Sequence, residues 1–150
     1  MAAFPLEALF SAAGSLALAG WLALALIPLR YRAPRYAAIV VAAVIAMLYA
    51  GLIGAFWTQG KGGFGSLADV ARLFEHPGLL LAGWVHYLAF DLLVGVWERD
   101  EARRIGLPQW ALAPCLVLTF MLGPLGWLVF LAVRFFRLKT SPLPAAPAGR

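Results

Sequence analysis

Gly83-Trp84-Val85-His86-Tyr87-Leu88-Ala89-Phe90-Asp91-Leu92-Leu93-Val94-Gly95 lies inside an apolar run extending from Pro77 to Trp97. At about 1.5 Å per residue, that run is long enough to cross a ~30 Å hydrocarbon layer as a helix. His86 sits near its middle and Asp91 nearer its C-terminal end. A carboxylate at such a depth costs roughly 2.5–3.5 kcal/mol on insertion scales, so it should face a partner or a cavity rather than lipid. Without a neighbouring cation, hydrocarbon favours its protonated form. Hydrogen-bond partners are expected among Tyr87, Thr119 and polar groups of the first apolar run.

The remaining composition agrees with a membrane setting. The chain is 63% hydrophobic and only 13% charged, where soluble domains carry about 25% charged residues. Its net charge of +5 comes from basic residues placed at the ends of apolar runs, where they act as topology determinants and headgroup anchors. No basic helix or aromatic–basic sheet pattern accompanies them, so nucleic acid is not an expected partner. The single cysteine, Cys115, excludes an intrachain disulfide framework and any cysteine-based metal centre.

Four apolar runs follow one another. Leu6–Leu29 lacks a basic n-region and is too long for a signal-peptide core, so it reads as a retained span stopped by Arg30, Arg32 and Arg35. Within it Glu7, Ser11 and Ser15 share one helical face. That face either holds an interfacial acid with small packing residues or a polar stripe turned toward Asp91. Tyr36–Trp57 is free of charge, and Ala46, Ala50 and Gly54 form a stripe suited to close helix approach. Thr58–Ser66 is a glycine-rich loop without a phosphate-binding pattern. The spacing then predicts a short helix over Leu67–Phe74, capped by Ser66, lying on the membrane surface.

In the third run Trp84, Tyr87 and Asp91 share a face, on which Gly95 and Glu98 also fall. His86 precedes Asp91 by five positions, about 140° around a helix, so the two cannot bond directly within it. Glu98–Arg104 reads as a solvated charged turn. The fourth run, Gln109 to about Val133, contains Pro124, which should kink the helix and free the Phe120 carbonyl; the segment is either a kinked packing helix or one whose freed carbonyl lines a polar pocket with Thr119. Thr140–Arg150 is a Pro/Ala-rich tail with no reason to fold.

The expectation is therefore an all-α polytopic membrane protein, with four transmembrane helices and a short interfacial helix between spans two and three. Residues 1–138 form a single domain and 139–150 a disordered tail. In that arrangement the 12 Lys and Arg divide equally between the two sides. The first span has no basic residue on its N-terminal flank, which places both termini outside, on the periplasmic side of a bacterial inner membrane.

The segments GGFGSLADVARLF, GWVHYLAFDLLVG and PCLVLTFMLGPLGWLVF carry a resemblance. Over roughly Leu6–Arg134 the chain resembles the abscisic-acid-deficient/neoxanthin-synthase-like family of small four-span membrane proteins, most specifically at His-x4-Asp-Leu and the later Gly-Pro-x-Gly. The family's plant members are associated with converting violaxanthin into neoxanthin. The resemblance implies an acid–base isomerase acting on a carotenoid or similar polyene, with Asp91, His86 and Tyr87 in catalytic roles. Trp84, Gly123 and Pro124 would bind substrate, and Glu7 and Thr119 join them as polar groups of the neighbouring spans.

Opening an epoxide to an allene is an isomerisation that needs no oxidant and no cofactor. One proton is delivered as another is removed, so a carboxyl and a histidine suffice chemically. Metal oxygenases need several histidines, and this chain has only His76 and His86. The alternative is a non-enzymatic membrane component that binds pigment or lipid, or packs against a larger complex or a second copy of itself.

Overall fold

The computed structural model describes residues 5–140, which are helical throughout apart from short connections, with no strand among them. The first helix, α1, is Leu6–Leu26; α2 is Ala33–Phe56, extended by a 3-10 turn over Trp57–Gln59. The short α3, Leu67–Phe74, precedes the long α4, Pro77–Arg104. Two further helices follow, α5 at Gln109–Leu122 and α6 at Pro124–Thr140. Among the described residues, α1, α4 and α2 with its extension to Gln59 are long and apolar enough to cross a membrane.

Local sequence accounts for most of the boundaries. Ser66 accepts a hydrogen bond from the Asp69 amide at 3.1 Å and starts α3 as its spacing predicts. Pro77 opens α4, whose N-terminus is capped by His76, with Nδ1 accepting from the Gly78 amide at 3.2 Å. The His76 ring also packs on Phe56. Ala38, Ala42, Ile45 and Leu52 form the buried face of α2. The small-residue stripe Ala46, Ala50 and Gly54 instead points outward, and a side chain on Gly54 would meet nothing. α2 reaches α4 through branched and aromatic side chains, so its close approaches occur elsewhere. One such approach is at Gly78, where any Cβ would run into the Phe56 ring.

The largest departure from expectation is the fourth span, which is not one helix. Gly123 adopts φ +46°, a conformation that L side chains rarely take, and there the chain reverses. Pro124 does not kink a helix interior. It occupies the first turn of a new helix, where a missing N–H costs nothing. In a straight helix Gly126 would lie about 10 Å along the axis from Thr119; here the Thr119 backbone occupies the space where a Gly126 Cβ would go.

α6 therefore returns beside α5 and runs parallel to α4. Phe130 meets Trp97 with ring centroids 5.5 Å apart, Arg134 donates to Glu101, and Arg137 donates to the Gly106 carbonyl at 3.3 Å. The architecture is three long helices plus a helical hairpin, both of whose arms open at the C-terminal end of α4. The two ends of the described chain consequently lie at opposite ends of the bundle, which replaces the expectation that both termini share a side. Lys139 and Thr140 belong to α6, and the rest of the expected tail lies outside the described residues.

The charged segment Glu98–Arg104 also departs from expectation. It continues α4 and is largely buried rather than forming a solvated turn: Glu98 is 0% exposed, Arg99 1% and Glu101 8%. Each charge has a reason to be inside. α1 ends without a basic residue in its last turn, leaving carbonyls that need donors. Arg99 supplies them from α4: Nη1 donates to Leu24 O at 2.6 Å, and Nη2 to Pro28 O at 2.9 Å and Tyr31 O at 3.3 Å. Glu101 accepts from Arg104 at 2.6 Å and from Arg134. Gln109 adds a bond from Nε2 to Ala25 O at 2.5 Å. Charge thus ties α1, α4, α5 and α6 together at one end.

Two outcomes test this architecture. Reporters fused at Arg103 and after Lys139 should fall on one side of the membrane and a reporter at Lys61 on the other. A single fourth span would instead place Lys139 with Lys61. Replacing Arg99 by Met should lower stability by about 3–5 kcal/mol in detergent unfolding, because three carbonyls lose their donors. Arg99→Lys should recover less than half of that, since one ammonium cannot fork across the three.

Candidate functional site

α4 carries chemistry on two different faces. On the first, Asp91 and Glu98 are separated by two helical turns, about 10 Å along the axis, and are close enough for their charges to interact. Glu98 Oε1 accepts a hydrogen bond from Thr119 Oγ1 at 2.8 Å. Its Oε2 and Asp91 Oδ2 are both buried with no donor in reach among the described residues. Between the two acids lies Gly95, over which Trp21 of α1 is laid; a Cβ there would come within 2.6 Å of the indole. The hairpin tip closes the other side, where a Cβ on Gly123 would lie 2.9 Å from Asp91 Oδ2. Glu98 is therefore enclosed between α1, α4 and the hairpin, and Asp91 is half-buried there with its Oδ2 turned inward.

The opposite face carries His86. Its ring stacks on Phe90 at 4.7 Å and faces Tyr49 of α2 at 5.3 Å. With Tyr49, Ile53, Trp57 and Phe64 it lines a cavity of about 210 Å³ beneath α3. A second cavity of about 260 Å³ is lined by Phe74, Leu80, Gly83, Trp84 and Tyr87. A third, about 390 Å³, lies between the N-terminal ends of α1 and α4, against Glu7, Phe10 and Trp84.

The three share walls. Phe74 and Gly83 border the first two, Leu80 and Trp84 the last two, so the three cavities adjoin and form an apolar groove of successive pockets around the N-terminal half of α4. Phe74 reaches it by wedging onto Gly83, where a Cβ would sit 2.8 Å from the ring. Leu73, rather than Phe74, is the buried anchor of α3.

A family model described as ABA DEFICIENT 4-like matches residues 8–130, from the first helix into α6. The chain belongs to the ABA DEFICIENT 4-like family. The match takes in the groove apart from Leu6 and Glu7, both acids and the reversal at Gly123. Neither a curated protein nor a solved structure matches the chain.

In this ABA DEFICIENT 4-like protein the expected site residues divide into two groups. Trp84, Tyr87, His86 and Glu7 come together along the groove. Asp91, Thr119, Gly123 and Pro124 gather at the hairpin, and Asp91 lines none of the cavities described above. His86 and Asp91 do not meet, as their 140° separation implies. Thr119 gives its hydroxyl to Glu98 and not to Asp91. The Glu7, Ser11 and Ser15 face is exposed and does not turn toward Asp91; Ser15 donates to the Ser11 carbonyl.

Sequence reasoning missed Glu98 and Arg99. A signal for Glu98 existed, since it falls on the Asp91 face seven residues on, but reading the charged run as a turn hid it. No three His, Cys, Asp or Glu side chains come together in a metal-holding group among the described residues.

Gly123 supplies the sharpest test of the tip. Gly123→Ala should cost about 2–3 kcal/mol in unfolding measurements, from a backbone that only glycine adopts easily and from the Cβ meeting the Asp91 carboxyl. Adding Asp91→Ala should return the steric share but not the backbone share, so the two changes should be measurably non-additive.

Proposed function

We propose that this protein is an integral membrane protein that binds a long apolar molecule of the carotenoid type in the groove around the N-terminal half of α4. The observation that carries this reading is the series of three adjoining cavities, walled mostly by aromatic and aliphatic side chains with few polar groups. Apolar pockets with sparse polar contacts are the usual form of small-molecule sites. Rigid rings such as Trp84, Phe74 and Tyr87 lose little freedom when they pack along a flat polyene. In this reading α3 lies at the membrane interface and roofs the groove.

The distribution of cations supports an orientation. Nine Lys and Arg among the described residues gather where α1, α4, α5 and α6 meet through their charged ends, and only Lys61 and Arg72 lie at the other end. By the positive-inside rule the cation-rich end is cytoplasmic in a bacterial inner membrane, with the N-terminus periplasmic and the end of α6 cytoplasmic.

An acid–base isomerase acting on the same ligand is the second reading, supported by His86 facing the groove opposite Tyr49. Opening an epoxide breaks its C–O bond as a proton reaches the oxygen, while a second group takes a proton from carbon to form the new double bond. Within the groove those tasks fall to His86 and Tyr87 or Tyr49. Asp91 would act from outside it, through the hairpin.

Pigment extraction separates the readings. Protein purified from carotenoid-producing cells should carry polyene absorbance, reduced about tenfold by Trp84→Ala, a loss expected of an aromatic anchor, and unchanged by Asp91→Asn. A new isomer that appears only with active protein and disappears in His86→Gln would favour the enzyme. Absence of bound pigment together with unchanged pigment composition would reject both.

A further inference from the structure

We propose that the charged end of the bundle contains a binding site for a phosphate-bearing anion, in the cavity lined by Arg32, Arg35, Asp100, Arg103 and Arg104. The cavity has a volume of about 440 Å³, lies between the start of α2 and the end of α4, and presents four guanidinium groups to one carboxylate. Two of the four are already balanced: Arg35 donates to Asp100 at 2.6 Å, and Arg104 to Glu101 at 2.6 Å. Arg32 and Arg103 have no ion-pair partner among the described residues.

Arg103 also lies close enough to the buried Arg99 for their charges to repel. Arg32 and Arg103 therefore line the cavity without an ion-pair partner among the described residues, and the buried charge of Arg99 lies behind Arg103. The start of α2 adds to the field: it has no side-chain cap and no acid in its own first turn, and the carboxylate beside it, Asp100, is already held by Arg35.

The chemistry of the wall selects the ligand. Guanidinium forks pair with carboxylates and phosphates alike, but the additional oxygens and charge of a phosphate let one group accept from two guanidiniums together, which a carboxylate or halide does less well. Tyr31 and Tyr36 are exposed beside Arg30 and Arg35, whose guanidinium carbons lie 4.7 Å and 5.2 Å from the ring centroids. Aromatic residues paired with cations belong to the headgroup layer, which places the cavity at the depth of lipid phosphates. The anion is a phosphate group, carried either by an anionic lipid headgroup or by a small soluble phosphate. This site is separate from the apolar groove and does not depend on it.

The test uses the full chain purified in a neutral detergent. Cardiolipin, phosphatidylcholine as the zwitterionic control and inorganic pyrophosphate are titrated separately, with bound probe read by native mass spectrometry and stabilisation by Tm. Saturable binding of an anionic probe is expected, weakened about tenfold or more in the R32Q/R103Q protein, as two lost phosphate contacts imply. The R30Q/K139Q protein, with the same charge change outside the cavity, should bind as the wild type does. Among the described residues neither Arg32 nor Arg103 donates a side-chain hydrogen bond, so the Tm without probe should not change. Stabilisation by cardiolipin alone assigns the anion to a lipid headgroup, and stabilisation by pyrophosphate alone to a soluble phosphate. Absence of saturable binding by either anion, or equal loss in the two double variants, overturns the site.

Discussion

The buried guanidinium of Arg99 is the contact on which the rest of the arrangement hangs. A helix that ends inside a membrane protein leaves carbonyl groups that neither lipid nor a neighbouring leucine can satisfy. α1 solves that problem with a residue from another helix. In doing so it fixes the depth of α4 against α1 and draws the next residues of α4 inward. Glu98 and Glu101 then sit on either side of a cation and recruit Thr119, Arg104 and Arg134. The hairpin is held toward its open end by Arg134, and near its tip by Thr119 and the close fit of Gly123 to Asp91. Between lipid-exposed helices burial of apolar area contributes little, so such polar ties and close contacts decide which packing is adopted.

The separation of the two α4 faces has a chemical meaning. The acids lie between α1, α4 and the hairpin, Glu98 fully buried and Asp91 half-buried, each with one buried oxygen that has no partner, an arrangement that costs stability. His86, Trp84 and Tyr87 occupy a compartment that opens outward and is nearly devoid of charge. A ligand in the groove and a change at the acids can influence each other only through α4 itself or through the α1 residues that touch both, such as those near Phe10 and Trp21.

Much of this was legible in the chain. The limits of α1, α2 and α3, the cap at Ser66 and the angular separation of His86 from Asp91 all follow from local pattern, because each depends on neighbours a few residues away. The fourth span did not. Gly123-Pro124 inside an apolar run has the same composition whether the helix bends by a few tens of degrees or turns back. What decides is whether the returning arm finds partners, and those partners, Glu101 and Gly106, lie about thirty residues earlier. Glu98–Arg104 misled for a related reason. A run of alternating charge looks solvated unless one knows that the end of another helix is waiting for a donor. The outward stripe of Ala46, Ala50 and Gly54 shows the reverse error, a pattern suited to packing with no partner in the same chain.

The hairpin also constrains how the molecule is made. Its arms, at about 21 Å and 26 Å, are each shorter than the hydrocarbon they would have to cross. Neither can be threaded through as an independent segment and left there. They must enter as a pair from the side on which they were synthesised, with the turn already formed. The pair has nothing to bond to until the end of α4 is in place. Assembly of this protein therefore has an obligatory order, in which the last third of the chain waits on the surface of a three-helix intermediate. During that wait Glu98 lacks its Thr119 donor and Glu101 has only Arg104 of its own helix, and the arrival of the hairpin adds Thr119 to the one and Arg134 to the other.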